Sequence, residues 1–212
     1  MSTSPSPSDV WSAMLAGNRR FVAGEPEHPR QDAERRHELA HSQRPTAALF
    51  GCSDSRLAAE IIFDEGLGDL FVIRNAGQVI SDSVTGSLEY AVAVLGVPLI
   101  VVLGHDECGA VRAAIDSTAP DAPALPAGIW RQVAPIVPAV RRVLQASPGA
   151  TSATVDAEEV GREHLRDTVA GILHSSELIS DAVAEGRLAV VGANYRLADG
   201  TAIPDVVVGE AG

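Results

Sequence analysis

The sequence contains no lysine: all 16 of its basic residues are arginines, set against 28 acidic residues in a chain of 212. A Walker-type phosphate loop and a pyridoxal Schiff base both require a lysine, so both kinds of enzyme are excluded. The formal net charge is −12. Because nucleic acids and anionic membranes repel an acidic protein, neither is expected as a partner.

Long apolar runs are also missing, and none approaches the roughly 20 residues of a membrane-spanning helix. The chain begins Met-Ser-Thr-Ser-Pro-Ser-Pro-Ser. That stretch lacks the basic start and apolar core of a signal peptide, so a cytoplasmic protein is the expectation. Cysteine occurs only at Cys52 and Cys108. In a reducing compartment such a pair is more typical of metal ligands than of a disulfide.

Short apolar segments alternate with helical patterns from residue 46 onward. This alternation predicts an α/β fold whose mostly parallel sheet is covered by helices on both faces. Four strands are predicted at 46–51, 70–74, 98–103 and 188–193, with an extra edge strand at 206–208. Helices are predicted near 57–63, 83–96 and 107–116, and across a long region from about 128 to 186 with a small-residue break at 147–154. In that region His164 and His174 are expected to be surface or hydrogen-bonded residues and not ligands.

The N-terminal part predicts an arm ahead of the sheet. Residues 1–8, rich in serine and proline, are predicted to be a disordered tail. Ser8 is predicted to cap a helix over 9–23, which with a short polar helix at 31–41 makes a helical arm spanning 9–42. The bulky apolar stripe of the first helix needs a groove, expected on a neighbouring subunit, with packing on its own domain as the alternative. Residues 43–212 are then the metal-binding α/β domain.

Two loops at the ends of predicted buried strands carry the reactive side chains. Cys52-Ser53-Asp54-Ser55-Arg56 follows the first strand, and His105-Asp106-Glu107-Cys108-Gly109 follows the third. Two thiols, an imidazole and a carboxylate would thus meet at one rim of the sheet. This set favours tetrahedral zinc, because calcium and magnesium avoid thiolates. The alternative is a pair of buried structural cysteines that bind no metal.

The function of such a site depends on how many ligands hold the ion. Four protein ligands saturate zinc and make the site structural, whereas three leave a position for a water whose pKa falls toward about 7. Asp54 is the ligand most suited to leave, since the Arg56 guanidinium can bind its carboxylate through two hydrogen bonds. A catalytic zinc and a zinc-stabilised protein without catalytic activity both remain open at this point.

The paired motifs resemble those of the β-class carbonic anhydrases, in the style of bacterial, plant-like and actinobacterial members. Further matching segments are Gly17–Phe21, Phe71–Gly77 and Ser87–Ala91. The resemblance implies one zinc per chain held by Cys52, His105 and Cys108, with Asp54 either as fourth ligand or paired with Arg56. It also implies reversible hydration of carbon dioxide to bicarbonate and a proton by zinc-bound hydroxide, which Asp54 orients.

The resemblance further implies a substrate pocket lined by Gln43, Phe71 and Tyr90, partly across a dimer interface, with the backbone amide of Gly109 holding a substrate oxygen. A homo-oligomer, dimer or tetramer, is therefore expected. Related proteins hydrolyse carbon disulfide or carbonyl sulfide with the same ligands, which is the alternative activity.

Two positions depart from the family pattern. Ala110 stands where many members have a second glycine, a small change. Some members bind regulatory bicarbonate through Trp, Arg and Tyr; Arg74 and Tyr195 match two of these positions, but Leu49 replaces the Trp. That replacement argues against bicarbonate regulation at this second position.

Overall fold

A computed structural model describes residues 5–211 and shows a central five-stranded sheet with helices on both faces. The strands are β1 (Ala47–Cys52), β2 (Leu70–Asn75), β3 (Leu99–His105), β4 (Ala189–Tyr195) and β5 (Ala202–Val208). Their order is β2-β1-β3-β4-β5, in which the first four are parallel and β5 runs antiparallel to β4. The predicted fold class, a mostly parallel four-stranded sheet with an extra edge strand, is confirmed.

Helices cover both faces of this sheet. They are α1 (Pro7–Ala23), α2 (Ala33–Glu38), α3 (Ala59–Ile62), α4 (Asp82–Ala93), α5 (Gly109–Asp116), α6 (Ala127–Val133), α7 (Val137–Ala146), α8 (Ala157–Ser175) and α9 (Glu177–Ala184), with a 3-10 turn at Ala134–Ile136. Among residues 5–211, no helix has both the length and the apolar character that crossing a bilayer requires.

Strand side chains divide between two cores because successive residues of a strand point to opposite faces. On β1, Leu49 contributes to the core beneath α1, α5 and α7, whereas Phe50 contributes to the core beneath α4, α8 and α9. Every residue of β1 and of β3 is buried. Burial on both faces explains why these strands read as continuous apolar runs in the sequence.

The long helical region is divided more finely than the sequence pattern suggests. Pro135 lies in the 3-10 turn and Pro138 in the first turn of α7. Proline lacks an amide hydrogen and is accommodated where a helix begins, so each proline starts a new segment. The last strand is also longer than expected, because β5 includes Pro204, which an edge strand tolerates.

The first helix begins earlier than predicted. Ser6, and not Ser8, is its N-cap: the Ser6 hydroxyl accepts from the amide of Asp9 at 3.1 Å, and the Asp9 carboxylate accepts from the Ser6 amide in return. Pro7 occupies the first turn, where its missing N–H costs nothing. Residues 7 and 8 of the predicted disordered tail are therefore helical, while residues 1–4 lie outside the described part of the chain.

The apolar stripe of α1 packs against its own chain. Val10, Trp11 and Met14 are buried, and the Trp11 ring centroid lies 6.2 Å from that of Phe63. The buried Asn18 amide donates to the carbonyls of Ile62 and Gly200 at 3.0 and 2.8 Å. Within the single chain, the stripe thus packs in a groove of its own domain, which is the alternative that the sequence left open.

Candidate metal centre

Three potential metal ligands meet at the carboxyl edge of the sheet. Cys52 ends β1, His105 ends the adjacent strand β3, and Cys108 caps α5 three residues later. One ligand atom from each lies within 4.8 Å of the other two, and all three residues are buried. The structure thus brings together the two cysteines and the histidine that the sequence placed at separate strand ends.

The imidazole of His105 is oriented for ligation. Its Nδ1 lies 2.7 Å from the Asp106 carbonyl oxygen and donates to it, which leaves Nε2 with a free lone pair. That Nε2 is buried and has no hydrogen-bond partner in the described part of the chain. Since an unsatisfied buried nitrogen is costly, the pattern fits an atom that a metal ion completes.

The two thiols lie close enough to influence each other's ionisation. A hydrogen bond from Cys108 lowers the pKa of Cys52, and the same bond together with burial raises the pKa of Cys108. The Gly77 amide also donates to Cys52 Sγ at 3.3 Å. Because metals bind the thiolate form, the lowered pKa of Cys52 favours ligation. Two thiolates and one imidazole are a donor set that suits a soft divalent ion.

The fourth predicted ligand, Asp54, is held by Arg56. The Arg56 Nε and Nη2 donate to the two carboxylate oxygens at 2.9 and 2.7 Å, and the Arg56 amide adds a third bond at 3.0 Å. These bonds keep the pKa of Asp54 well below its ordinary value. Arg56 Nη2 also donates to the Glu107 carbonyl at 3.2 Å, which joins the two ligand loops.

Residues at the end of β2 support the first ligand loop. Arg74 donates from Nε to the Cys52 carbonyl at 2.8 Å and from Nη2 to the Asp54 carbonyl at 2.6 Å. The Asn75 side chain brackets the following turn, donating to the Val79 carbonyl at 2.6 Å and accepting from its amide at 2.8 Å. Sequence reasoning assigned no such role to either residue, although both stand in the matching segment Phe71–Gly77.

Gly109 is the one predicted substrate residue that lies beside the metal ligands within a single chain. It lines a pocket of about 460 Å³, together with Ala76, Ala110, Ile129 and Val133 among others. The wall is formed mostly by small and apolar side chains, so the space beside the ligands suits a small, weakly polar molecule. Ala110, the departure noted from the sequence, forms part of this wall.

The other predicted substrate residues lie away from the metal ligands of their own chain. Phe71 is the second residue of β2, whereas Asn75, the register partner of Cys52, is the last. Four residues of strand at about 3.3 Å each separate them by about 13 Å. Tyr90 packs beside Phe71 with ring centroids 6.1 Å apart, and Gln43 lines a pocket beyond the amino end of β1. These residues cannot complete the site of the chain that carries them.

A comparison with known proteins agrees with the site geometry. The carbonic anhydrase family model matches residues 47–202. Carbonic anhydrase 2 of Mycobacterium tuberculosis is 48% identical over 207 residues, covering 97% of this chain and 96% of its own. The carbonic anhydrase of Mycolicibacterium smegmatis is 49% identical over 195 residues, covering 92% and 91%.

Solved structures agree on the fold. A structure from the report on two tetrameric β-carbonic anhydrases of Sordaria macrospora superposes with a TM-score of 0.71 at 23% identity, covering 94% of this chain and 99% of that one. Parallel strands with a Cys-His-Cys group at their carboxyl edge define the class as an α/β protein with a candidate metal site. The chain belongs to the β-class carbonic anhydrase family, whose reaction is the hydration of carbon dioxide.

Proposed function

We propose that this protein catalyses the reversible hydration of carbon dioxide to bicarbonate, with Zn²⁺ held by Cys52, His105 and Cys108. The observation that carries the proposal is the grouping of three ligand atoms within 4.8 Å while Asp54 is bound to Arg56. Three protein ligands leave a metal position for water, which favours a catalytic over a purely structural ion. A zinc ion bound there would lower the pKa of a coordinated water toward about 7 and supply a hydroxide nucleophile at neutral pH.

Asp54 and Arg56 would then control access to the metal and orient the nucleophile. Each carboxylate oxygen has more than one lone-pair direction, so Asp54 can accept a further hydrogen bond while it is paired with Arg56. Because its pKa is lowered, Asp54 stays ionised at neutral pH. A pH-dependent closure of the site therefore cannot depend on protonation of Asp54; it requires the carboxylate to exchange Arg56 for the metal.

The pocket beside Gly109 would hold carbon dioxide, which carries no charge and only has to be kept near the nucleophile. The first amides of α5 lie at the positive end of that helix and favour an anionic product such as bicarbonate. We infer that Gln43, Phe71 and Tyr90 line the pocket of a second copy, since they lie far from the ligands of their own chain. The tetrameric relatives of Sordaria macrospora support self-association.

The direct test is stopped-flow hydration of carbon dioxide by zinc-loaded protein at pH 6–9, with metal content measured on the same sample. We expect turnover that tracks bound zinc. A rate no greater than that of buffer would overturn the proposal. Parallel assays with carbon disulfide and carbonyl sulfide would identify a hydrolase built on the same ligands.

The shared pocket has a test of its own. A Tyr90→Ala variant and a Cys108→Ser variant are each expected to be impaired, for lack of pocket and of metal respectively. If sites form between two copies, subunit exchange would restore part of the activity, because some sites then combine an intact ligand set with an intact Tyr90. Activity that stays equal to the sum of the two separate variants would contradict a shared pocket.

A further inference from the structure

The turn that follows β2 lies directly behind the metal ligands, and side chains hold four of its backbone carbonyls, of which that of Gln78 accepts from the Thr168 hydroxyl at 3.4 Å. Gln132 donates to the Ala76 carbonyl at 3.1 Å, and Asn75 donates to that of Val79 at 2.6 Å. Between them, Nε2 of His164 lies 2.7 Å from the Gly77 carbonyl. The amide of the same glycine donates to Cys52 Sγ at 3.3 Å. Gly77 therefore connects a buried histidine to a metal-binding thiol.

The backbone of Gly77 depends on its surroundings for its orientation. Its φ of +80° is in the left-handed region, which glycine adopts without a steric penalty. A Cβ at this position would lie 2.8 Å from Cβ of Ala110 and 3.1 Å from Cδ1 of Ile136. No side chain can therefore hold the turn from position 77 itself. The peptide that carries the Gly77 amide is held through the Ala76 carbonyl by Gln132, and the next peptide is held through the Gly77 carbonyl by His164. The two bonds together fix the backbone on both sides of the Gly77 Cα.

His164 is suited to hold that carbonyl without adding charge. It lies on α8 with 3% of its surface exposed. Because Nε2 faces a carbonyl oxygen, it must carry the hydrogen, which leaves Nδ1 as a bare acceptor. Nδ1 is buried and has no hydrogen-bond partner among residues 5–211. Burial lowers the pKa of His164, so the imidazole is neutral and acts on Gly77 as a donor only.

We propose that His164 is a positioning residue of the metal centre. It anchors Gly77 from the carbonyl side, so that the Gly77 amide stays on the Cys52 sulfur and limits the negative charge that this thiolate transfers to the metal. A hydrogen bond to a ligating atom tunes the ion just as its direct ligands do. His164 acts through Gly77 and touches neither metal nor substrate. The inference rests on the proposed function only in requiring that Cys52 bind a metal.

The test compares three variants in cobalt-substituted protein, where absorption from thiolate-to-cobalt charge transfer reports the charge on the sulfur. His164→Leu removes the donor and keeps an apolar side chain in its place. His164→Gln retains an amide nitrogen near the position of Nε2. Thr168→Val is the matched control: Thr168 is equally buried one turn along α8, and its hydroxyl lies 2.9 Å from the His164 carbonyl and 3.4 Å from the Gln78 carbonyl. The variant therefore removes a buried hydroxyl next to the same turn but leaves the bond between His164 and Gly77 in place.

We expect the charge-transfer band of His164→Leu to move to longer wavelength and its cobalt affinity to fall about tenfold, the lower end of what loss of a supporting contact costs. His164→Gln and Thr168→Val are expected to keep the band of the parent protein. In zinc-loaded His164→Leu, the midpoint of the pH–rate profile should rise, because a more electron-rich thiolate weakens the acidity of the metal.

A His164→Leu protein whose band and affinity match those of Thr168→Val would overturn the inference. So would an equal shift in His164→Gln, since the effect would then not depend on the donor. If His164→Leu fails to fold, His164→Asn is read in its place, because its shorter amide cannot reach Gly77. The spectra need no turnover, so cobalt-binding protein without hydration activity would refute only the proposed function, whereas unchanged spectra in an active enzyme would refute only the role of His164.

Discussion

Two of the regions in which the molecule buries polar side chains differ in how completely those side chains are hydrogen-bonded. One is the N-terminal clasp, formed by residues 20–30 packed on residues 64–69. There the carboxylate of Asp64, with 1% of its side chain exposed, accepts from Arg20 Nε at 2.6 Å and from the amides of Glu27 and His28 at 2.9 and 3.0 Å. Asp69 is held in the same way by Arg30 and by the Gly66 amide.

The other place is the metal edge, formed by the ligand loops and the turn after β2. Among the described residues, the buried side-chain atoms without a hydrogen-bond partner are His105 Nε2, His164 Nδ1 and Gln78 Oε1, and all belong to this edge or to the helix behind it. Buried polar groups are normally paired, so exceptions that cluster in this way need an explanation. Saturated polar contacts mark the part of the molecule that supports the fold, and unsatisfied ones mark the part arranged for a ligand.

The largest expected effect that would test this contrast comes from removing a metal ligand. Cys108→Ser should lose bound metal, and its hydration rate should fall by about a thousandfold or more, because the metal supplies the nucleophile. Metal analysis and stopped-flow assays measure the two losses. The matched control is Ser117→Ala, which changes a small residue just after α5 and leaves the ligands intact. A Cys108→Ser protein with full metal content would refute the ligand assignment.

Next in size is the loss of the arginine that holds Asp54. Arg56→Ala should reduce kcat/KM about a hundredfold, the typical cost of a misplaced catalytic group. Its free energy of unfolding should change by only about 0–1 kcal/mol, because the Arg56 side chain is about half exposed. Arg187→Ala removes another exposed arginine, paired with Glu185, and should change neither quantity. Equal activity in both variants would remove Arg56 from the mechanism.

A substitution in the clasp should lower the stability of the protein and leave its activity unchanged, the reverse of what is expected for Arg56→Ala. Asp64→Ala leaves two amides and Arg20 without their acceptor, so we expect a loss of about 2–3 kcal/mol in unfolding free energy with kcat unchanged. Burial alone would raise the pKa of Asp64, but the hydrogen bonds outweigh it and the pKa is lowered. The stabilisation that Asp64 provides is therefore present above pH 3.8, the ordinary pKa of the group, and is lost as the pH falls further.

Denaturant unfolding at pH 7 and at acid pH measures this contribution. Asp116→Ala is the control, since Asp116 pairs with Arg112 but is 65% exposed, and its loss should cost about 0–1 kcal/mol. An Asp64→Ala protein as stable as Asp116→Ala would show that the clasp does not support the fold.

The smallest effect is expected from Glu65, which lies in the clasp beside Asp69. Burial, followed by the charge of Asp69, raises the pKa of Glu65 from 4.5 to about 7. The folded protein thus holds a proton that the unfolded chain releases, so this contribution is complete below pH 4.5 and is lost as the pH rises toward 7. The free energy of unfolding of the parent protein should therefore decline by about 1–3 kcal/mol over that interval, and Glu65→Gln should remove this decline.

Free energies of unfolding measured in parallel for the parent protein and Glu65→Gln between pH 4.5 and 7 isolate the contribution of Glu65. Parallel curves for the parent protein and Glu65→Gln would show that Glu65 titrates normally. Metal content and hydration activity should remain equal in the two proteins, because Glu65 lies in the clasp and away from the metal edge.

Much of the fold could be read from local patterns. The strands were predictable as apolar runs because β1 and β3 are buried on both faces. The three candidate ligands could be placed because the ends of strands and the starts of helices are marked by local sequence patterns. The start of α1 was misjudged for a local reason as well: Ser6, Pro7 and Asp9 form a capping box one turn before the apolar stripe becomes visible. The groove in which the stripe packs could not be read from the sequence, since no local signal reveals that Phe63 lies against Trp11.

The amino-acid sequence by itself determined the chemistry of this protein: two thiolates and an imidazole at neighbouring strand ends, and an arginine two residues from a carboxylate. Only the tertiary structure decided how those groups are held. His164 reaches Gly77 across 87 positions of sequence, and Arg56 joins Glu107 across 51. Contacts of this kind depend on how helices pack on the sheet, which residue spacing does not encode. That is why a histidine assigned no role by its sequence context lies directly behind the metal centre.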